Sequence, residues 1–335
     1  MQNSVCRVKY RENLSGMIEC HFDERPVAYI TSMRVLSAIS LPVNLFGIYC
    51  IVYKSPPFMK EYSRLLLIYQ ILSTLCDSWA NLVYIPITFF PFPIIYHVGL
   101  LLPHVSMPYA YMHIVWLCLV VTTMGAVAQL FMFRWQHMLT ANHPLKLRKR
   151  VIYIICLGQF ILFNGALIQF TCVADMDHLQ GVQYFNMDDV RRFFLITGIE
   201  GTALIIATLG FVYLTFRNFH FTNVSQKTIK LQKTYQISLI LQVQSVILFF
   251  FPFFFVFMLP LSFFIRLPKD LKVSLVITNV IMCFISIHGL LSTMIMILVN
   301  KPYRRFVLDL IRRCILVCLG DKWLSRLQIS QVCNI

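Results

Sequence analysis

Between Ser78 and Phe133 the chain runs for 56 residues without one Asp, Glu, Lys or Arg. Further long apolar runs precede and follow it. Hydrophobic residues make up 58% of the 335 positions and charged residues 13%, against about 25% charged in an ordinary soluble domain. A soluble core cannot hide that much apolar surface, so lipid must be the solvent for much of it. No linker, low-complexity tract or internal repeat divides the chain, and one integral membrane domain is expected.

A bilayer-crossing helix needs about 20 mostly apolar residues. Cutting the chain at charges and Pro/Gly clusters gives spans at 35–53, 65–89, 109–133, 151–174, 193–216, 236–265 and 273–299. The cut between the second and third rests on Pro91, Pro93, Gly99, Pro103 and Pro108, which read as a short apolar loop. The expected fold class is all-α, a seven-transmembrane helix bundle. Residues 1–34 precede it and a tail over 300–335 follows. Arg7, Lys9, Arg11, Glu12 and Glu19 leave no early apolar core, which argues against a cleaved signal peptide.

Lys and Arg set the orientation. Nineteen fall in the loops after spans one, three and five and in the tail, and ten on the other side. Asp175, Asp177, Asp188 and Asp189 sharpen the contrast on that other side. The N-terminus is expected outside and the C-terminus inside. Of two sequons, Asn13-Leu14-Ser15 should then be glycosylated and Asn223-Val224-Ser225 should not. The net charge of +15 thus marks cytoplasmic loops rather than nucleic-acid binding. The eleven Cys follow no metal spacing.

Charges inside spans cost about 2.5 to 3.5 kcal/mol even on the mild insertion scale unless paired or solvated. Two exist. Asp77 in the second span either faces the interior, holding a cation or a switch network with Asn44, or is a hydrogen-bonded acid that only specifies packing. Glu200 in the fifth either lines a ligand cavity or, the reading favoured by Arg191 and Arg192 nearby, forms an interfacial ion pair. His113 and Trp116 on the outer half of the third span are ligand contacts or headgroup-level residues. Pro252 and Pro260 can bend the sixth span, which suits a protein that switches shape. Catalytic motifs such as G-x-S-x-G, H-E-x-x-H and the phosphate loop are absent, so no enzyme and no cofactor is expected. Span 273–299 has no Lys for a retinal Schiff base. Two intramembrane acids without related halves make a small-solute transporter a poor second.

After the last span comes "NKPYRRFVLDLIRRC" at 300–314. Pro302 disfavours helix at Lys301 and should end the seventh helix there. Phe306, Val307, Leu310, Ile311, Cys314 and Ile315 then recur at helical spacing, opposite Arg304, Arg305, Asp309, Arg312 and Arg313. This predicts either a surface helix on anionic inner-leaflet lipid or a solvated tail. Cys314 and Cys318 are candidate S-acylation sites beside the membrane.

Local motifs carry a resemblance. "FRWQHM" at 133–138, "LQKTYQISLILQVQ" at 231–244, "IHGLLST" at 287–293 and "NKPYRRF" at 300–306 together resemble nematode serpentine chemoreceptors of the Srh and Sri families in the Str superfamily. His288-Gly289 with Pro302-Tyr303-Arg304 is the most specific combination, and the resemblance extends from the first span to Cys314. It implies a G-protein-coupled receptor of the plasma membrane or sensory-neuron cilium. Such a receptor detects small environmental molecules and signals through a heterotrimeric G protein. It places the coupling residue at Arg134, whose bland alternative is lipid anchoring by snorkelling, with Arg304 in the basic tail beside it. Phe133-Arg134-Trp135-Gln136-His137 fits Srh and Sri equally imperfectly. The Asp-Arg-Tyr, Asn-Pro-x-x-Tyr and third-span Cys of rhodopsin-like receptors are missing. An outer-loop disulfide from Cys172 would reach Cys6 or Cys20, or does not form. The rival class, an insect odorant-receptor type of ligand-gated channel, has seven spans with its N-terminus inside, against the charge asymmetry here.

Overall fold

The computed structural model describes residues 26–55, 60–88, 94–99, 109–139, 143–173, 176–179, 182–185, 187–218, 234, 236–241 and 271–319. The helices are α1 (Val27–Lys54), α2 (Lys60–Ser78), α3 (Tyr109–Met138), α4 (Lys149–Val173), α5 (Met187–Asn218), α6 (described over 236–241), α7 (Leu271–Val299) and α8 (Lys301–Leu319). The described helices overlap the expected spans, the sixth only over 236–241. Pro252 and Pro260, like Asn13, lie outside the described residues. Among the described residues, four helices are long and apolar enough to cross a membrane: Val27–Lys54, Tyr111–Met138, Gly198–Arg217 and Met282–Val299.

Local chemistry sets the helix ends. Ser55 leaves α1 in an extended conformation, φ −71° and ψ 130°, because it precedes Pro56. Its hydroxyl donates back to the Ile51 carbonyl at 2.6 Å and satisfies one acceptor that the ending helix leaves open. The break between α7 and α8 falls at Asn300, one residue before the expected site, and Lys301 is already helical. Asn300 accounts for the shift. Its carbonyl accepts from the Arg304 N–H at 3.0 Å and its amide donates to the Met296 carbonyl at 2.8 Å. The missing N–H of Pro302 then falls in the first turn of α8, where no partner is needed.

The second span departs from its expected helix. α2 passes into a π-helical turn, Trp79–Tyr84, in which the Ile85 N–H reaches the Ala80 carbonyl at 3.0 Å. Ile85 then takes φ 30° and ψ 76°, a left-handed conformation that costs a β-branched residue about 1–3 kcal/mol. Full burial among Tyr29, Met33, Ile87 and Met112 holds it there. The chain continues into β1 (Pro86–Thr88) and β2 (Ile94–His97), which join β3 (Met176–Leu179) and β4 (Val182–Phe185) in an antiparallel sheet ordered β1-β2-β4-β3. The register pairs Ile94 with Tyr184 and Met176 with Phe185. This small sheet joins the connections after the second and fourth spans and leaves the all-α bundle beneath it intact.

α3 packs against α2, α4 and α5, and α1 against α2, α7 and α8. Tyr153, Ile154, Leu157, Ile161 and Leu162 of α4 are exposed, as lipid-facing side chains should be. The other face of α4 turns inward through Asn164, whose amide donates to the Thr122 hydroxyl at 3.1 Å. Two clusters fill the bundle. One, around Tyr69, Leu130, Phe131 and Met296, includes Tyr303 of α8; the other surrounds Tyr84, Met112 and Trp116.

Candidate functional site

A polar seam joins α1, α2 and α7. On α2, Gln70, Ser73, Thr74 and Asp77 recur at three- and four-residue spacing and are buried, so they share one inward face. The Asn44 amide donates to the Asp77 carboxylate at 3.1 Å, and the Asn44 carbonyl accepts from the Thr293 hydroxyl at 2.6 Å. Gln70 donates to the same Thr293 hydroxyl at 2.6 Å, and the Tyr69 and Ser292 hydroxyls meet at 2.9 Å. Close helix approach makes this possible. A Cβ at Gly47 would lie 2.5 Å from the Thr293 methyl, and one at Gly289 would overlap the Asp77 carboxylate. Farther along α7, Asn300 donates to Ser238 of α6 at 3.4 Å. Tyr303 shares a 2.8 Å hydrogen bond with Ser55.

A partly open cavity adjoins the seam between α1, α2, α3 and α7, and its atom-free space of about 620 Å³ includes the part open to the surroundings. Its walls are apolar and rich in sulfur, with Met33, Cys76, Met124, Met282, Trp116 and Val120 among them. Ser73, Asp77, Thr123, Ser286 and His288 supply its polar groups. An apolar pocket with a few placed polar groups suits a small organic molecule, and thioethers adapt to irregular shapes.

At the Lys/Arg-rich end, which the charge asymmetry makes cytoplasmic, the Arg134 guanidinium lies over the Tyr62 ring, 4.2 Å from its centroid. A clasp closes α3. The Gln136 amide donates to the Leu145 carbonyl at 3.1 Å and accepts from the Leu147 N–H at 2.9 Å. The Lys146 ammonium donates to the carbonyls of Gln136 and Leu139, a cation placed where the helix presents acceptors. Burial lowers the Lys146 pKa. Lys149 of α4 pairs with Glu61 of α2 at 2.5 Å. Their hydrogen bond lowers the Glu61 pKa and raises that of Lys149. Both side chains are more than half exposed, so the pair adds little stability.

The profile of the serpentine type 7TM GPCR chemoreceptor Srh family matches residues 24–181 and 164–313. The chain belongs to the Srh family. Srh is one of the two subfamilies that its motifs resemble. This Srh receptor is a multi-pass membrane protein and a G-protein-coupled chemoreceptor, and the channel reading is not favoured. Among curated proteins no relative matches. Among solved structures the fold is similar to squid rhodopsin, with a TM-score of 0.64 over 90% of each chain at 12% identity. That likeness concerns the fold alone.

The receptor's structure sorts the residues singled out in the sequence. Asp77 and Asn44 are joined by a hydrogen bond. Trp116, Asp77 and His288 line the cavity. His113 is bonded to Tyr84 instead, and neither it nor Glu200 of α5 is among the cavity's lining residues. The side chains of Arg191 and Arg192, the suggested partners of Glu200, lie outside the described residues, as does that of Cys172. Arg304 and Cys314 are exposed, Pro302 is half-buried and Tyr303 is buried. α8 reaches Leu319, past Cys318, whose side chain is not described. α7 begins at Leu271, so Lys272 enters its first turn, at the helix end rather than mid-span.

Gln70, Thr293 and Tyr62 went unnoticed in the sequence. The polar stripe at 70, 73, 74 and 77 was a usable sign of a buried face for the first. Tyr62 gave none, because a lone Tyr near a helix start is ordinary. Asn81, in the π turn, is fully buried with no hydrogen-bond partner for its amide among the described residues.

α8 docks through Phe306, whose ring lies 6.2 Å from that of Phe46 and 6.0 Å from that of Tyr49, with the Lys54 ammonium 4.3 Å over its face. Leu310 and Ile311 stay exposed on the side that follows Phe306. Replacing Phe306, Leu310 and Ile311 together with Gln should release α8 from α1 and from lipid and reduce surface delivery several-fold, measured by antibody labelling of intact cells. A triple variant delivered and signalling like the parent contradicts a membrane-surface role for α8.

Proposed function

We propose that this receptor takes a small, mostly apolar molecule into the cavity between α1, α2, α3 and α7, and that occupancy is relayed through the Asn44–Asp77–Thr293 seam to the cytoplasmic end. The observation that carries this reading is the position of Asp77, which belongs to both the cavity wall and the seam. A ligand that moves Asp77 must therefore disturb hydrogen bonds on three helices. Trp116 and the thioethers hold the apolar body of the ligand, while Ser286 and His288 orient its polar group. Arg134 and Arg304 meet the heterotrimeric G protein at the plasma membrane, in the cilium of a sensory neuron. The N-terminus is outside with a glycan on Asn13, and Cys314 and Cys318 carry acyl chains that hold α8 to the inner leaflet.

A chemical library with a second-messenger readout identifies a stimulating compound. Filling the cavity with Val120→Trp, or separately with Ser286→Phe, is expected to weaken the response to that compound at least tenfold while surface delivery persists. Unchanged potency in both variants at normal surface level places the ligand elsewhere.

A further inference from the structure

We propose that Gln236 of α6 is held in reserve for the G protein: its amide is buried without a partner while α6 is packed into the bundle, and it bonds a polar group of the G protein once the cytoplasmic end of α6 parts from its neighbours. The inference needs neither the cavity nor Arg134.

Gln236 stands at the start of the described part of α6, and its side chain is fully buried. Neither its amide nitrogen nor its amide oxygen has a hydrogen-bond partner among the described residues. Leu239 and Ile240 follow one turn later, on the same side of the helix. They share an apolar cluster with Leu130 and Phe131 of α3, Phe211 of α5 and Tyr303 of α8. Gln236 thus prolongs an apolar contact with a polar group. Its amide carries two donor hydrogens and an acceptor. Leaving them unpaired in such surroundings counts directly against this arrangement of α6.

Other buried glutamines of the bundle are paired. Gln136 of α3, at the same end, donates to the Leu145 carbonyl and accepts from the Leu147 N–H. Gln70 of α2 donates to Thr293. An orphaned glutamine in the same protein therefore calls for a reason. The opposite side of α6 is lightly tied as well. Ser238 accepts from the Asn300 amide at 3.4 Å, a long hydrogen bond, and the Asn300 side-chain oxygen is buried with no partner among the described residues. An apolar side chain of the same size would close α6 more firmly. The amide gains only where a different arrangement gives it partners. Parting α6 from the bundle brings Gln236 to the cytoplasmic face, where a docked protein supplies donors and acceptors. One side chain then raises the energy of the closed receptor and lowers that of the coupled one.

The test compares the full-length receptor with Gln236→Met and Gln236→Leu, which keep the bulk and remove the polar atoms. Detergent-solubilised receptor without G protein is expected to melt about 2–4 °C higher in both variants. In membranes at matched surface density and without added ligand, GTPγS loading is measured on a heterotrimeric G protein that the parent loads above background. Loading should fall roughly three- to tenfold. Nucleotide-free G protein should also dissociate from the variants faster by a similar factor, because a bond made in the complex is missing. Firmer closure of α6 alone would slow association and leave dissociation unchanged. An unchanged or lower melting temperature, or failure of both variants to reach the surface, means that the amide is satisfied inside the receptor and overturns the inference. Parent-level loading or a parent-like dissociation rate overturns it too, by showing that the G protein makes no use of the amide.

Discussion

Gly289→Ala is expected to remove most of the folded receptor from the cell surface. α7 passes α2 so closely at this position that a Cβ would overlap both carboxylate oxygens of Asp77. Asp77 has little room to yield, because it is buried and bonded to Asn44, which is bonded in turn to Thr293. Either the helices part or the carboxylate swings away from its donor. Overpacking and an orphaned buried acceptor together cost about 2–5 kcal/mol, a large share of the stability of a single domain. Gly210→Ala is the control. It sits on α5 with nothing among the described residues within 4 Å of the added methyl, and alanine is the better helix former there. Surface labelling and the apparent melting temperature of detergent-solubilised receptor measure the difference. Equal melting temperatures for the two variants would show that α7 does not approach Asp77 as described.

The second large effect falls on signalling with folding left intact. Arg134→Ala should reduce ligand-stimulated second-messenger output by roughly ten- to a hundredfold, the range expected when one set of charge-assisted hydrogen bonds to a partner is lost. Surface level and ligand binding should be unaffected, because Arg134 is not among the cavity-lining residues. Arg134→Lys should restore only part of the output, since an ammonium lacks the planar fork. Undiminished output from Arg134→Ala at parent surface level assigns the residue to lipid anchoring alone.

The bundle was legible in the sequence because the signals for it are local and long. Twenty apolar residues in a row admit few alternatives in a bilayer. The charges that end the runs mark some boundaries and not others: α1 ends at Lys54, but it begins at Val27 and carries Arg34 inside it. The α7–α8 break was nearly as clear, since Pro302 has no N–H to continue the seventh helix, although Asn300 set the break one residue earlier and Pro302 opens α8. The amphipathic spacing from Phe306 to Ile315 likewise describes the helix that follows. Asn44 and Asp77 stood out because a buried polar group in an apolar span must find a partner, and these two found each other.

The rest depended on distance in the chain. β1 to β4 are three or four residues long. They are too short to show an alternating pattern, and their pairing joins Ile94 to Tyr184 across ninety residues of sequence. The π turn and the left-handed Ile85 arise where α2 must hand over to that sheet, and no residue between Trp79 and Tyr84 announces it. The seam needed to know which faces of α1, α2 and α7 meet. Gln70 and Thr293 have no relation along the chain, and only the near-contacts at Gly47 and Gly289 bring them within 2.6 Å. Composition and periodicity therefore determined that the chain spans a membrane as helices. Partner choice among polar and aromatic side chains, including Tyr62 beneath Arg134, was decided by the tertiary structure, because a hydrogen bond or a ring contact depends on ångström-scale approach between segments that the linear pattern leaves independent.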